Sequence, residues 1–147
     1  MTVKIVKGNL LQAPVDVIGH QVNCKGVMGA GIAKQLRNMY SGLFKHYKDY
    51  LASTPHPLGT VSMYYEQGKP IVANIYGQDS YGRYGIHTDY RALESALGEL
   101  ANVAYAHDMT VALPYGIGCG LAGGDWNTVY KIIESIFTEV DCYLYKL

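Results

Sequence analysis

The chain has 147 residues, a formal net charge of zero, 16% charged residues and 49% hydrophobic residues. This length predicts one domain over residues 1–147 with a sizeable buried core. A neutral chain lacks the broad basic face that holds extended nucleic acid, so we expect a small-molecule ligand and no such binding. The 17 glycines exceed an average usage of about 7% and need a local explanation.

The sequence indicates neither secretion nor a membrane span. Residues 1–7 lack a basic region followed by an apolar stretch, and no apolar run of about 18 residues occurs. Cys24, Cys119 and Cys142 are odd in number and widely spaced, which fits neither a disulfide framework nor a paired zinc motif. We therefore expect a cytoplasmic protein with reduced thiols, no membrane contact and no metal site.

The first half of the chain predicts two strands followed by two helices. Alternating β-branched residues indicate a strand at 2–6, and a run with little charge indicates a strand at 15–22 that is buried between two layers. Apolar residues then recur at helical spacing after Gly31 and again after Gly42.

The second half predicts four more strands and two helices. In chain order these are a hairpin of strands at 59–65 and 70–76, a helix at about 93–103 that Thr88 or Asp89 caps, a strand at 110–113, a helix at 129–137 and a strand at 142–145. Strands that alternate with helices predict a mixed, mostly parallel sheet with helices on both faces. Ligands of such sheets bind at the carboxyl ends of the strands.

Two glycine-rich loops, 23–31 and 115–124, leave the carboxyl ends of predicted strands and lead into helices. In the first loop, Gly29-Ala30-Gly31 opens a helix whose N–H groups can face an anion. Lys34 stands where a dinucleotide fingerprint has its third glycine, and no Walker motif is present, so ordinary NAD and Walker sites are disfavoured. Taken alone, this loop is equally compatible with a tight turn that binds nothing.

The second loop has glycine at positions 116, 118 and 120, which leaves successive backbone amides open to an anion. Two such loops suit a diphosphate. Neither Cys24 nor Cys119 has the arginine that cysteine phosphatases carry shortly after their nucleophile, so both thiols are interpreted as packing residues.

His20 and Asn23 are the leading side-chain candidates for catalysis. They lie three residues apart at the end of a predicted buried strand and are expected to face the loops. Polar groups in such a place cost free energy unless they are hydrogen-bonded or functional. The alternative for His20 is a histidine that hydrogen-bonds the sheet.

Four segments together resemble a macro domain: Gly8-Asn9-Leu10, His20-Gln21-Val22-Asn23, residues 27–33 and residues 113–120. The resemblance covers essentially the whole chain. It is closest to the branch with the yeast-type ADP-ribose 1''-phosphate phosphatases and the small ADP-ribosyl hydrolases, and phage and bacterial members look similar. It implies a three-layer α/β/α sandwich that binds ADP-ribose without a cofactor.

The resemblance also implies a set of ligand contacts. Asn9 and Leu10 would meet adenine, although the family commonly has Asp at the position of Asn9. The other implied binding residues are Lys25, Val27, Met28, Gly29, Ala30, Gly31 and Ile32 at the distal ribose, Tyr76 and Gln78 after a central strand, and Pro114, Gly116, Ile117, Gly118, Cys119, Gly120 and Leu121 at the diphosphate.

Two positions depart from the hydrolase pattern of this family. Gln78 stands at the nearest match to the catalytic lysine, and Ala122 stands where glutamate-directed hydrolases have an aspartate. Asp125 would replace that aspartate only if the loop shifted, and its other role is a helix N-cap. These departures count against the hydrolases. The phosphatase branch, in contrast, resembles this chain at His20 and at the tyrosine- and serine-rich segment 76–84, which favours hydrolysis of a phosphate ester.

The predicted function is therefore binding of ADP-ribose and dephosphorylation of ADP-ribose 1''-phosphate. His20 would position or activate water or protonate the leaving ribose oxygen, and Asn23 with the loop amides would stabilise charge on the phosphate. Asp79 is a second candidate acid or base, or a turn residue, and Tyr81 and Tyr84 are candidates to close over the distal ribose. The alternatives are a non-catalytic ADP-ribose-binding module and a hydrolase that removes ADP-ribose from protein or nucleic-acid adducts.

Overall fold

The computed structural model describes residues 2–147 and contains six β-strands, four α-helices and one short 3-10 helix at Leu10–Gln12. The strands are β1 (Val3–Lys7), β2 (Val17–Gln21), β3 (Val61–Tyr64), β4 (Ile71–Ile75), β5 (Val111–Pro114) and β6 (Cys142–Lys146). The helices are α1 (Gly31–Met39), α2 (Leu43–Ser53), α3 (Tyr90–Ala106) and α4 (Trp126–Ile136).

The six strands form one mixed sheet in the order β1-β6-β5-β2-β4-β3. All neighbours pair in parallel except β3, which runs antiparallel to β4. Strand β2 lies in the interior of the sheet, where Val17 pairs with Ile71 of β4 on one side and with Val111 of β5 on the other. The three strands therefore point their carboxyl ends toward the same edge.

Helices cover both faces of the sheet, which confirms the predicted three-layer sandwich. On one face α3 and α4 pack through residues such as Leu97 and Ile133. On the other face α1 and α2 pack through Leu36 and Leu43. The alternation of side chains along a strand divides the core between the layers, since Val111 and Leu113 of β5 face α3 and α4 while Ala112 faces α1 and α2.

Every predicted strand and helix is present, with bounds that differ by at most two residues for the strands. The 3-10 helix at Leu10–Gln12 was not predicted, because three residues are too few to show a period. The carboxylate of Asp89 accepts a hydrogen bond from the N–H of Ala92 and so caps α3, which resolves the choice between Thr88 and Asp89. The predicted N-cap role of Asp125 on α4 is confirmed as well.

None of the four α-helices in residues 2–147 combines the length and the apolar character needed to cross a bilayer.

The middle of α3 offers a test of helix packing. Gly98 lies inside this helix, and a methyl group added there would meet no atom within 4 Å. Because glycine in a helix interior costs about 0.5–1 kcal/mol relative to alanine, we expect Gly98→Ala to raise the free energy of unfolding by about that amount. Denaturant titration measures it, and a destabilised variant would mean that α3 is packed more tightly at this position.

Candidate functional site

A cavity of about 700 Å³ opens at the carboxyl edge of the sheet, beside β2. Three segments build its wall: the loop after β2 with the start of α1, the segment after β4, and the loop after β5. Fourteen predicted binding or catalytic residues line it, namely Asn23, residues 27–32, Gln78, Pro114, residues 116–118, Gly120 and Leu121. The volume lies in the range of small-ligand sites.

Six other predicted residues lie outside the cavity wall: His20, Asn9, Leu10, Lys25, Tyr76 and Cys119. Asn9 caps the 3-10 helix, where its side chain accepts a hydrogen bond from the N–H of Leu11 at 3.0 Å. Leu10 and Tyr76 belong to the core under α1 and α2. Lys25 points its ammonium group toward the carboxylate of Asp79 at 3.1 Å.

The cavity wall also contains residues that sequence reasoning did not assign to binding, among them Gln21, Tyr115 and Arg83. Tyr81, a candidate from the sequence, lines the cavity, whereas Tyr84 does not. The one local signal for Arg83 is the presence of three glycines, Gly77, Gly82 and Gly85, within nine residues, which marks an irregular segment directly after a central strand.

Asn23 begins the first loop and is held from several sides. Its Oδ1 accepts a hydrogen bond from the N–H of Lys25 at 2.9 Å, and its Nδ2 donates to the carbonyl of Val27 at 2.9 Å. The buried hydroxyl of Tyr47, on α2, lies 2.7 Å from both the carbonyl oxygen and the Oδ1 of Asn23. This hydroxyl also accepts from the N–H of Gly26 at 3.1 Å. The loop is therefore shaped by a tyrosine from the helix layer.

The N-terminus of α1 faces the cavity without a side-chain cap. Its N-cap residue is Ala30, which makes no side-chain hydrogen bond, and residues 30–33 line the cavity. By contrast, Asp89 and Asp125 cap α3 and α4. The first N–H groups of α1 thus remain available to a ligand, and the positive end of the helix dipole favours an anion there.

The second loop presents backbone donors from another part of the cavity wall. Gly116 and Gly118 have φ angles of 82° and 78°, a region that favours glycine. Within residues 2–147, the N–H groups of Gly116, Gly118, Gly120 and Leu121 donate to no protein acceptor. A row of open N–H groups in such a turn is suited to bind anionic oxygens.

Side chains from β2 and from the segment after β4 hold the second loop in place. The Nε2 of Gln21 donates to the Oε1 of Gln78 and to the Oγ1 of Thr88, both at 2.9 Å. The hydroxyl of Thr88 in turn donates to the carbonyl of Gly118 at 2.6 Å. These hydrogen bonds therefore join the end of β2, the segment after β4 and the loop after β5.

His20 is completely buried and pairs with the neighbouring strand rather than with the loops. Its Nε2 lies 2.7 Å from the Oδ1 of Asn74 on β4. Burial lowers the pKa of His20 to about 4, with the hydrogen bond to Asn74 acting in the opposite direction. The imidazole is therefore neutral at pH 7, and the structure does not bring it to the cavity.

The thiols near the cavity have no activating neighbourhood. Burial raises the pKa of Cys24 to about 11, and burial also raises the pKa of Cys119. Both therefore stay protonated near neutral pH, as expected for packing residues. All three cysteines are free.

A family model described as the macro domain matches residues 20–133, which is more than half of the chain. The chain belongs to the macro domain family. A protein of unknown function from Bacteroides thetaiotaomicron has 30% sequence identity and a TM-score of 0.89, with 100% of this chain and 99% of that chain covered. The macrodomain of Mycobacterium tuberculosis DarG has 26% identity and a TM-score of 0.85, with 99% and 97% covered.

A DNA ADP-ribosyl glycohydrolase from Thermus aquaticus is 26% identical over 142 residues, which are 94% of this chain and 38% of that protein. The chain thus spans about two fifths of the length of the curated relatives that it matches. The family prediction is confirmed. These relatives carry the name of glycohydrolases and not of the phosphatase branch.

Removing the hydroxyl of Tyr47 tests its hold on the first loop. Tyr47→Phe deletes the acceptor of the Gly26 N–H, so we expect faster amide hydrogen exchange at Gly26 and a loss of about 1 kcal/mol in the free energy of unfolding. Tyr40→Phe is the matched control, because this buried tyrosine donates to the carbonyl of Pro70, away from the loop. Unchanged protection at Gly26 in Tyr47→Phe would contradict the assigned contact.

Burial of His20 predicts a dependence of stability on pH. Because its pKa falls from 6.5 to about 4 on folding, the unfolded chain binds more protons between these values, and stability decreases as the pH falls below 6.5. We expect the decrease to reach ~3 kcal/mol near pH 4. Denaturant titrations along this range should show a shallower decrease for His20→Gln than for the wild type.

The control for this series is His56→Gln, at an exposed position. The free energy of unfolding of this variant should decrease with falling pH as steeply as that of the wild type. If the free energy of unfolding decreases equally with pH in the wild type, His20→Gln and His56→Gln, His20 is not buried in a neutral form.

Proposed function

We propose that the chain binds ADP-ribose in the cavity at the carboxyl edge of the sheet. The observation that carries the proposal is the presence of two donor sets in the wall of one cavity, namely the uncapped N-terminus of α1 and the open N–H groups of the second loop. A diphosphate between them would accept hydrogen bonds from both. The cavity of about 700 Å³ leaves room for groups on either side of it.

Membership in the macro domain family and the printed name of the Thermus aquaticus relative support an ADP-ribosyl ligand. The proposal does not include a contact between the side chain of Asn9 and adenine, because that side chain is engaged with the N–H of Leu11 outside the cavity wall. Adenine selectivity would have to come from other residues of the wall.

For turnover, we propose hydrolysis of the phosphate ester in ADP-ribose 1''-phosphate as one candidate reaction. The N–H groups at the start of α1 lie in the wall and are suited to stabilise charge on a phosphate. Asn23 lies in the same wall, and its role would rest on the second hydrogen of Nδ2, because the first is donated to the carbonyl of Val27. His20 takes no direct part in this proposal, because it is buried away from the cavity.

The second candidate is removal of ADP-ribose from DNA, which the names of the curated relatives support. The distribution of charge also favours a substrate in which ADP-ribose is attached to an anionic polymer such as DNA. Residues 17–48 contain no Asp or Glu and five exposed cations, namely Lys25, Lys34, Arg37, Lys45 and Lys48. Within residues 2–147, ion pairs engage only Lys25 and Lys45 of these five. The first loop of the cavity lies in this positive segment.

Calorimetric titration with ADP-ribose tests the binding proposal, and a pair of Gly→Ala variants sharpens it. The first variant, Gly118→Ala, places alanine at a φ of 78°, which strains the backbone, and brings its Cβ to 3.1 Å from the side-chain oxygen of Gln21. We expect the free loop of this variant to relax and so relieve left-handed strain of about 1–2 kcal/mol, which binding must restore, and the affinity should therefore fall about tenfold. Gly98→Ala, in α3, should bind like the wild type, and thermal unfolding checks that both variants fold.

The turnover candidates are separated by two assays on the same protein. One measures phosphate released from ADP-ribose 1''-phosphate, and the other measures ADP-ribose released from an ADP-ribosylated oligonucleotide. Binding without either product would leave a binding module. Absence of ADP-ribose binding by the folded wild type would overturn the proposal as a whole.

A further inference from the structure

Residues 79–88 form an arch that connects the two glycine-rich loops. At one end, the carbonyl of Asp79 accepts a hydrogen bond from the N–H of Cys24 at 2.9 Å, and its carboxylate lies 3.1 Å from the Nζ of Lys25. At the other end, the N–H groups of His87 and Thr88 donate to the carbonyl of Ala122 at 2.6 and 3.2 Å. The arch is thus attached to the first loop at its start and to the second loop at its end.

The middle of the arch forms part of the cavity wall through Tyr81, Gly82 and Arg83. Arg83 is exposed, and it carries the one fixed charge among the residues that line the cavity. The three ion pairs within residues 2–147 do not include Arg83. Its side chain also makes no hydrogen bond within that region, because the attachments of the arch come from other residues, namely Asp79, His87 and Thr88. The guanidinium is therefore free to engage a ligand.

We propose that Arg83 binds the diphosphate of the ligand and supplies the charge that the rest of the cavity lacks. This inference rests on the proposed function, which places a diphosphate in the cavity. The diphosphate is the middle of ADP-ribose, and Arg83 lies in the middle of a segment whose ends are fixed to the two donor-bearing loops. A guanidinium presents its N–H groups as a planar fork, which matches two phosphate oxygens at once.

The charges of the ligand and of the cavity wall also support a contact between Arg83 and the diphosphate. The diphosphate is anionic, and the remaining groups of the wall are backbone dipoles or neutral side chains. Neutral donors bind such a group, but their contribution depends little on ionic strength. A single arginine in the wall of an otherwise uncharged cavity makes binding sensitive to salt and favours anionic ligands over neutral ones.

The test compares Arg83→Gln with Arg91→Gln, a matched control at an exposed arginine of α3 that does not line the cavity. Calorimetry measures the affinity for ADP, ADP-ribose and ADP-ribose 1''-phosphate at low and high salt. We expect Arg83→Gln to lose about tenfold in affinity for all three ligands at low salt and to lose most of the salt dependence. Arg83→Lys should recover part of the affinity, and Arg91→Gln should behave like the wild type.

Three results would overturn the inference. Wild-type affinity in Arg83→Gln means that the guanidinium does not touch the ligand. A loss confined to ADP-ribose 1''-phosphate places Arg83 at the terminal phosphate instead of the diphosphate. An equal loss of affinity in Arg91→Gln means that the affinity depends on the net charge of the protein and not on a contact with Arg83. If the wild type binds none of the three ligands, the proposed function itself is wrong. This result differs from the three above, in which the wild type binds.

Discussion

The parallel pairing of β2 with β4 on one side and with β5 on the other determines where the candidate site lies. Parallel neighbours end at the same edge of a sheet, so the segments that follow these three strands meet in space although they are far apart in sequence. Each segment forms one wall of the cavity. The hydrogen bonds from Gln21 to Gln78 and to Thr88 then join the end of β2 to the segment after β4.

Much of this organisation is predictable because it depends on local patterns. The apolar run around Val17 and Ile18 predicts a strand buried on both faces, and the spacing of Asp125 before an apolar helix predicts its cap. The glycines at 116 and 118 predict an open loop after β5, since they allow backbone angles that other residues avoid. These signals indicate both loops of the cavity before any tertiary contact is known.

The remaining features depend on contacts between distant residues, for which the sequence has no local signal. A histidine at the end of a buried strand suggests a functional group, but its partner, Asn74, lies 54 residues away and becomes its neighbour only through the pairing of β2 with β4. The arch has no periodicity, and its position follows from attachments to Cys24 and Ala122. Net charge, as a sum over the chain, likewise does not reveal that all the Asp, Glu, Lys and Arg residues within 17–48 are Lys or Arg.

Because the open donors of the second loop are backbone N–H groups, they respond to changes of sequence differently from side-chain donors. A donor that belongs to the main chain is retained through any substitution that preserves the local backbone angles, whereas a side-chain donor is lost by a single change. The positions at which the second loop tolerates little change are then those with a left-handed φ, such as Gly116 and Gly118. The open N–H groups of the second loop are thus preserved by the backbone angles of Gly116 and Gly118 and not by the identity of a side chain.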